Sequence, residues 1–255
     1  MSRAELFQKV LRYSQRQMAD RLFRRPFKMR NTVPLISFTF DDFPASALVT
    51  GGGILRRHCL AGTYYASFGL MGRDTPTGQI FSTEELKLLF EQGHELGCHT
   101  FGHCDGGATP AREFERSIIQ NLSALRKLRP DCSFKTLSYP INCPRPYTKR
   151  LAAKHFLCCR CGGQSFNSHV ADLSHLRAFF IEKTDGDFAA IKRIVDENRL
   201  AGGWLIFATH DVTRSPTRYG CTPDYFERTI DYSLKSGARI VTVSEAIEVL
   251  KAPSR

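Results

Sequence analysis

The alternation of short apolar runs with amphipathic helical patterns constrains the fold of this chain more than any other feature. Helical patterns fall between most of the runs, and one of them opens with a capping box formed by Ser82 and Glu85. Strands that alternate with helices are typical of a parallel sheet covered by helices. The sequence therefore predicts an α/β fold. The predicted strands are 35–40, 62–68, 95–100, 136–140, 156–161, 178–182, 204–210 and 239–243.

Polar side chains collect where three of these predicted strands end. Asp41 and Asp42 directly follow the first run, His99 and His103 lie at the end of the third, and His210 ends the seventh. In parallel α/β folds, ligands bind at the carboxyl edge of the sheet. We therefore expect these five residues to form one site.

The residue types at these strand ends indicate metal chemistry. Two histidines four residues apart can share one face of a helical turn and converge on a metal. One carboxylate added to them leaves a coordination position open for water, as in catalytic zinc sites. The second carboxylate is then available as a base for water whose pKa a metal lowers to roughly 7. Each pattern is weak alone, because Asp pairs often cap helices and single histidines often lie in cores. Their joint occurrence favours a metal hydrolase.

Nine cysteines, an odd number, do not form the pattern of a secreted disulfide framework. Cys158, Cys159 and Cys161 stand in "CCRC", which lacks the spacing of a zinc knuckle. We expect them to pack as reduced thiols in or beside a buried strand, with redox activity or soft-metal binding as the alternative. Cys98 and Cys104 flank the histidine pair, and Cys98 is expected to pack.

The first thirty residues form a distinct basic segment. They carry nine Lys or Arg against two acidic residues, a net charge of +7 out of +11 for the whole chain. Apolar residues recur in it at helical spacing. We consider two roles for the helix of residues 3–25, packing on the domain or lying on an anionic membrane surface. The division predicted is therefore an amphipathic arm over 1–30 and a catalytic domain over 31–255.

Location and partners follow from the same composition. No apolar run reaches the roughly 20 residues that span a bilayer, and no secretory signal is visible, so the cytoplasm is expected, with the arm as a candidate for attachment to the cytoplasmic membrane face. Nucleic acid is not an expected partner, because the arm lacks interleaved aromatic residues and no recognised binding motif follows it.

Three motifs together resemble those of the polysaccharide deacetylase (NodB-homology) family of carbohydrate esterases. They are "TFDD", "HTFGH" and "LIFATHD", and they occur in the family's order within residues 33–250. The resemblance implies a distorted (β/α) barrel of about seven parallel strands. It also implies that Asp41 is the general base, that Asp42, His99 and His103 bind one divalent metal ion, expected to be zinc, and that His210 is the general acid.

One stretch departs from the family pattern. The family's Arg-x-Pro-aromatic motif, whose arginine steadies the catalytic Asp, corresponds here to "LSYPIN". Ser138 stands in place of the arginine and Ile141 in place of the aromatic residue. The backbone N–H of Ile141 can still serve as a catalytic oxyanion donor, because a main-chain donor does not depend on its side chain. Arg145, close in sequence, is the predicted replacement for the arginine. No Asp partner for His210 is identified.

These observations predict a metal-dependent hydrolase that removes an acyl group, N-acetyl above all, from an amino sugar in a glycan or a lipid-linked glycan precursor. Two alternatives stay open. The same site suits an O-acetyl esterase or a deformylase. The missing arginine is also compatible with a catalytically dead glycan-binding homologue.

Overall fold

A nearly closed parallel sheet forms the centre of the molecule. The computed structural model describes residues 17–141 and 143–252, together with Leu6 and Ser14. In these residues the strands are β1 (Pro26–Lys28), β2 (Leu35–Phe40), β3 (Thr63–Ala66), β4 (Asp74–Thr75), β5 (Gly78–Gln79), β6 (Glu95–Cys98), β7 (Thr136–Ser138), β8 (Cys158–Cys161), β9 (Val170–Asp172), β10 (Leu176–Arg177), β11 (Phe179–Phe180), β12 (Trp204–Thr209) and β13 (Arg239–Ile240).

Nine of these strands belong to one sheet, in which all the pairings are parallel. The strand order is β10-β8-β7-β6-β3-β2-β12-β11, and β13 pairs with the first residues of β2. The two edge strands are consecutive in the chain and are separated only by Ala178. One short segment therefore pairs with β8 through its first half and with β12 through its second half, which brings the two edges together.

Helices cover the outer face of the sheet. They are α1 (Gly53–Arg57), α2 (Thr83–Glu91), α3 (Ala111–Leu128), α4 (Pro146–Ala152), α5 (Phe188–Leu200), α6 (Pro223–Lys235) and α7 (Val243–Lys251), with a π-helical segment at Ala47–Gly52 and 3₁₀ turns at Phe68–Leu70 and Ile181–Thr184. Two antiparallel pairs, β1 with β9 and β4 with β5, lie outside the main sheet.

The alternation of side chains along β2 explains how the barrel carries both a core and a site. Ile36, Phe38 and Phe40 pack in one cluster with residues of α1 to α6, whereas Leu35 belongs to a second cluster with Trp204 and residues of α7. Because successive side chains of a strand point to opposite faces, Ser37, Thr39 and Asp41 follow Leu35 on the inner face. The inner face thus changes from apolar to polar toward the carboxyl end of the strand.

The sequence predicted this architecture well. All eight predicted strands are confirmed, most with ends within two residues, and the expected α/β barrel is confirmed. The sheet has nine strands rather than the about seven that the resemblance implied: the eight predicted runs and the two-residue strand β10, which has no apolar pattern of its own. Short edge strands of this kind are specified by tertiary pairing rather than by local sequence.

The predicted N-terminal arm lies largely outside the described residues. Residues 17–21 are helical, and the following chain docks on the domain through β1, which pairs with β9. The buried Nζ of Lys149 donates to the carbonyls of Ala19 at 2.6 Å and Leu22 at 3.0 Å. Met18 and Leu22 are 44% and 47% exposed. No helix among the described residues is long and apolar enough to cross a membrane.

Candidate active site

Four strands of the barrel deliver charged or titratable groups to one end of it. Asp41 and Asp42 follow β2 directly, His99 follows β6, and His210 follows β12. Arg160 lies near the end of β8. Because the strands are parallel, all of these groups lie at the carboxyl edge. The structure therefore places the predicted site where the sequence located it.

The three predicted metal ligands come together. Nε2 of His103 lies 3.0 Å from Oδ1 of Asp42, and Nε2 of His99 lies 3.4 Å from the same oxygen. One ligand atom from each residue falls within 4.8 Å of the other two. Asp42 and His99 are buried, and His103 is partly exposed. The triad therefore faces outward on the side of His103.

The two histidines converge through a bend rather than through the helical turn that their spacing suggested. Residues 99–103 are not helical, and Thr100 and His103 both have left-handed backbones, with φ of 60° and 53°. The hydroxyl of Thr100 accepts a hydrogen bond from the N–H of Cys104 at 2.9 Å, which holds the bend. Asp42 and Phe43 are also left-handed, with φ of 61° and 53°. Such strain in non-glycine residues clusters at functional sites.

The hydrogen bonding of the triad fits a cation. Nδ1 of His99 lies 2.8 Å from the carbonyl of Ser138. A carbonyl can only accept, so Nδ1 carries the proton and Nε2 presents its lone pair to Asp42. Oδ1 of Asp42 is buried and accepts no hydrogen bond of normal geometry from the described residues. A nitrogen lone pair and a carboxylate oxygen repel each other at this distance. A proton or a metal ion between the two atoms removes the repulsion.

The pKa shifts of Asp42 and His103 also favour a cation site. Burial raises the pKa of Asp42, but the interactions with His103 and His99 outweigh burial and hold the pKa well below its usual range. Burial lowers the pKa of His103, and the Asp42 carboxylate outweighs that effect and raises it. Thr77 donates to the other oxygen of Asp42 at 3.0 Å. Asp42 is therefore ionised and oriented at neutral pH, as a metal ligand must be.

Asp41 has a different partner from its neighbour. Its Oδ1 is paired with Nη2 of Arg160, and the side chains of Asp41 and Arg160 are 6% and 1% exposed. The guanidinium also lies over the ring of Tyr65, with its central carbon 4.8 Å from the ring centroid. In the sheet register, Arg160 stands directly beside Ser138. The arginine absent from β7 is thus supplied by the next strand at the same level.

This pairing controls the charge of Asp41. Burial alone would raise the pKa of Asp41, but the charge of Arg160, with those of His99 and His210, outweighs burial and lowers it. Asp41 is therefore ionised at neutral pH. The adjacent aspartates have different partners, a guanidinium for Asp41 and two imidazoles for Asp42.

The prediction that Arg145 replaces the missing arginine is wrong. Its Nε donates to the carbonyl of Gly107 at 2.8 Å, and its N–H donates to the carbonyl of Gly106. Arg145 therefore braces a surface loop. The sequence did hold a signal for Arg160, since a single charged residue within a buried strand must find an opposite charge. The interpretation of "CCRC" concerned its cysteines, and the arginine between them was missed.

His210 is held by a backbone carbonyl rather than by a carboxylate. Its Nδ1 lies 3.0 Å from the carbonyl of Tyr219, so Nδ1 carries the proton and Nε2 is the atom available for proton transfer. Its ring stacks on that of Phe180, with centroids 6.3 Å apart. The Tyr219 carbonyl therefore orients the His210 ring, a role for which the sequence showed no aspartate.

Ile141, the predicted oxyanion donor, lies in the loop after β7, and Glu182 lies in the 3₁₀ turn after β11. Ile141 lies three residues beyond β7, is 66% exposed and has a left-handed backbone with φ of 63°. Glu182 was not predicted. Burial, with a smaller contribution from the charge of Asp41, raises the pKa of Glu182 to about 8, although a backbone hydrogen bond and the charges of Lys183 and Arg160 act to lower it. A largely protonated carboxyl therefore lies within electrostatic reach of Asp41.

Fold and site together define a barrel of parallel strands with a polar site at its carboxyl edge, and comparison with known proteins identifies the family. The family model for polysaccharide deacetylases matches residues 28–156, half of the chain. The chain belongs to the polysaccharide deacetylase family. It is 27% identical over 108 residues to a chitooligosaccharide deacetylase from Sinorhizobium fredii, and the matched region covers 42% of this chain and 46% of that protein.

Solved structures share the fold at low sequence identity. A chitin deacetylase from the fungal pathogen Colletotrichum lindemuthianum superposes with a TM-score of 0.57 at 16% identity, covering 88% of this chain and 92% of the other. A family 4 carbohydrate esterase pseudoenzyme from Bacillus anthracis gives a TM-score of 0.60 at 10% identity, covering 87% and 68%. The fold alone therefore does not decide whether a member is active.

The geometry of the triad generates a prediction for metal content. His99→Ala and His103→Ala should each lose the metal ion bound at this site, because each removes one of three ligands. Asp41→Asn should keep it, because Asp41 is paired with Arg160 instead. Isothermal titration calorimetry of the folded variants with zinc measures this difference in metal binding. Full binding by both histidine variants would show that the ion is held elsewhere.

Proposed function

We propose that this protein is a metal-dependent hydrolase that removes the N-acetyl group of an amino sugar in a glycan or a lipid-linked glycan precursor. The observation that carries the proposal is the juxtaposition of two differently partnered aspartates. Asp42 faces two imidazoles in a set suited to a divalent ion, and Asp41 stands beside it as an ionised carboxylate paired with Arg160. A ligand and a base are thus supplied by adjacent residues.

Each group has a role in hydrolysis of an amide. A divalent ion held by Asp42, His99 and His103 would supply Lewis acidity toward the acyl carbonyl and toward water. Asp41 would take the proton of the attacking water. The lowered pKa of Asp41 keeps it ionised for that purpose.

Two further groups would act on the oxyanion and on the leaving nitrogen of the substrate. The N–H of Ile141 would donate to the oxyanion that develops on the acyl carbonyl. When Nε2 of His210 also carries a proton, His210 would give that proton to the departing nitrogen while the Tyr219 carbonyl holds the ring through Nδ1. The proton that Asp41 takes from water would replace it. An amine leaves poorly unless it is protonated, so an amidase needs this separate acid.

The presence of the acid favours an N-acetyl substrate over an ester. An ester releases an alcohol, which is a better leaving group and depends less on protonation. A relative is named a chitooligosaccharide deacetylase, and a protein of the same fold is named a chitin deacetylase. These names support an N-acetylated sugar as the substrate class.

Acetate release tests the proposal directly. The wild-type protein should release acetate from N-acetylated oligosaccharides or from lipid-linked N-acetyl sugars, and a chelator should abolish the release reversibly. An O-acetylated xylan and an N-formylated sugar serve as matched substrates. Faster hydrolysis of either one would assign the esterase or deformylase activity instead. Binding of glycans without any acyl release by the metal-loaded protein would identify a dead homologue.

Substitution of Arg160 should lower the deacetylase activity, and substitution of Arg145 should not. Arg160→Met should lower kcat for deacetylation by about 100-fold, because Asp41 loses the group that positions it. The pKa of Asp41 should rise when the positive charge is removed, so the acidic limb of the pH–rate profile should move to higher pH. Arg160→Lys, which keeps the charge, should retain more activity than Arg160→Met.

Arg145→Met is the matched control for the loss of an arginine. It should leave kcat and the pH profile nearly unchanged, because the Arg145 side chain donates to the Gly107 carbonyl in a loop and not to Asp41 among the described contacts. Zinc binding, measured in parallel, should be preserved in all three variants. A collapse of activity in Arg145→Met with normal activity in Arg160→Met would refute the assignment of the clamp to Arg160.

The role of His210 predicts a dependence on the leaving group. His210→Ala should slow the hydrolysis of N-acetyl sugars by about 10²–10⁴-fold, the usual contribution of a general acid. Hydrolysis of 4-nitrophenyl acetate should change much less, because nitrophenolate leaves without a proton. His155→Ala, at a surface histidine paired with Glu115, is the control. Equal losses on both substrates would argue that His210 is not the acid.

A further inference from the structure

A second group of metal-binding residue types lies outside the site described above. It consists of Cys143 in the loop after β7, Cys161 at the end of β8 and His175 in the turn before β10. One ligand atom from each lies within 4.8 Å of the other two. Cys161 and His175 are buried, and Cys143 is partly exposed. Three segments that are distant in sequence thus bring two thiols and an imidazole together.

The hydrogen bonding of His175 prepares it as a ligand. Its Nδ1 lies 2.9 Å from Oδ1 of Asp20, so the Nδ1 proton is donated to the carboxylate. Nε2 then presents a lone pair toward the thiol of Cys143. This nitrogen is buried and makes no hydrogen bond of normal geometry with any described residue, and the His175 side chain is 5% exposed. A histidine held in this way by a carboxylate is the usual arrangement behind a metal ligand.

The sulfur atoms of Cys143 and Cys161 are too close for a non-bonded contact. Sγ of Cys143 and Sγ of Cys161 lie 2.7 Å apart. A disulfide would relieve the contact, but it offers no proton to the buried Nε2 of His175. An imidazolium next to one thiolate would satisfy the nitrogen but leave the two sulfurs pressed together. A metal ion satisfies all three groups at once, because it accepts electron pairs from both sulfurs and from the nitrogen.

We infer that Cys143, Cys161 and His175 bind a second divalent metal ion, separate from the one proposed at the Asp42 site. Two thiolates and one imidazole are the donors that zinc prefers. Zinc–sulfur bonds of about 2.3 Å in tetrahedral geometry place two sulfurs about 3.8 Å apart. Binding therefore requires the thiols to separate by about 1 Å. Cys143, in a partly exposed loop, is the residue that moves.

The position of this ion gives it a structural role next to the active site. Cys161 adjoins Arg160, which holds Asp41, and Cys143 lies two residues beyond Ile141. Asp20, the positioning residue behind His175, belongs to the N-terminal segment. A bound ion would tie that segment and the loop that carries Ile141 to the strand that carries Arg160. This inference does not depend on the proposed deacetylase activity.

Cobalt substitution tests the inference without any activity measurement. Metal-free protein, purified under anaerobic reducing conditions, is titrated with Co²⁺ and its absorption is recorded. The Asp42 site contains no sulfur, so thiolate-to-cobalt charge-transfer absorption in the near ultraviolet reports only the cysteine site. The wild-type protein should show this band and bind two metal ions per chain. Asp20→Asn should weaken the affinity of the sulfur site by about 10–100-fold.

Variants separate the two sites. Cys143→Ser and His175→Ala should lose the charge-transfer band and one of the two ions, whereas His103→Ala should lose the other ion and keep the band. Cys132→Ser, at a partly exposed cysteine outside the cluster, should change neither. If the folded wild-type protein shows no charge-transfer band, the inference is wrong, whatever the variants do. A mass lower by two hydrogens in freshly purified protein, with no metal bound, would show a disulfide instead.

Discussion

The buried ion pair between Arg160 and Asp41 is the interaction on which the rest of the active site depends. Asp41 and Asp42 are adjacent and both largely buried, so two uncompensated negative charges would repel at close range. Arg160 neutralises one of them, and this leaves the other for the imidazoles of His99 and His103. Removal of one partner from a buried pair costs roughly 3–5 kcal/mol, because the remaining charge stays unpaired. The geometry of the site therefore depends on an arginine supplied by a strand other than the one expected.

The barrel makes this substitution possible. Arg160 and Ser138 are register partners on neighbouring parallel strands, so their side chains leave the sheet side by side at the same height. The small Ser138 is fully buried, while its carbonyl still holds His99. One strand thus holds His99 through its backbone, and its neighbour supplies the positive charge for Asp41. A family member that lacks the motif arginine need not lack the guanidinium.

The sequence predicted the parts of the molecule that depend on local pattern. Strand 35–40 was predicted correctly, and the polar residues after it lie at the carboxyl edge of the sheet as expected, because a continuous apolar run and a polar strand end are local signals. The convergence on Arg160 was not predicted, since the register between two strands is set by tertiary packing. The bend at Thr100 and the Tyr219 carbonyl behind His210 were missed for a related reason. Backbone strain and main-chain acceptors leave no residue-type signature.

A crystal structure of the zinc-loaded protein, with anomalous diffraction measured at the zinc edge, tests the central claim most directly. The claim is that adjacent aspartates have different partners and therefore different roles. The account predicts an anomalous peak in contact with Asp42, His99 and His103, while Asp41 stays paired with Arg160 and away from the ion. An ion bound to Asp41, or an Arg160 side chain directed away from Asp41, would contradict it.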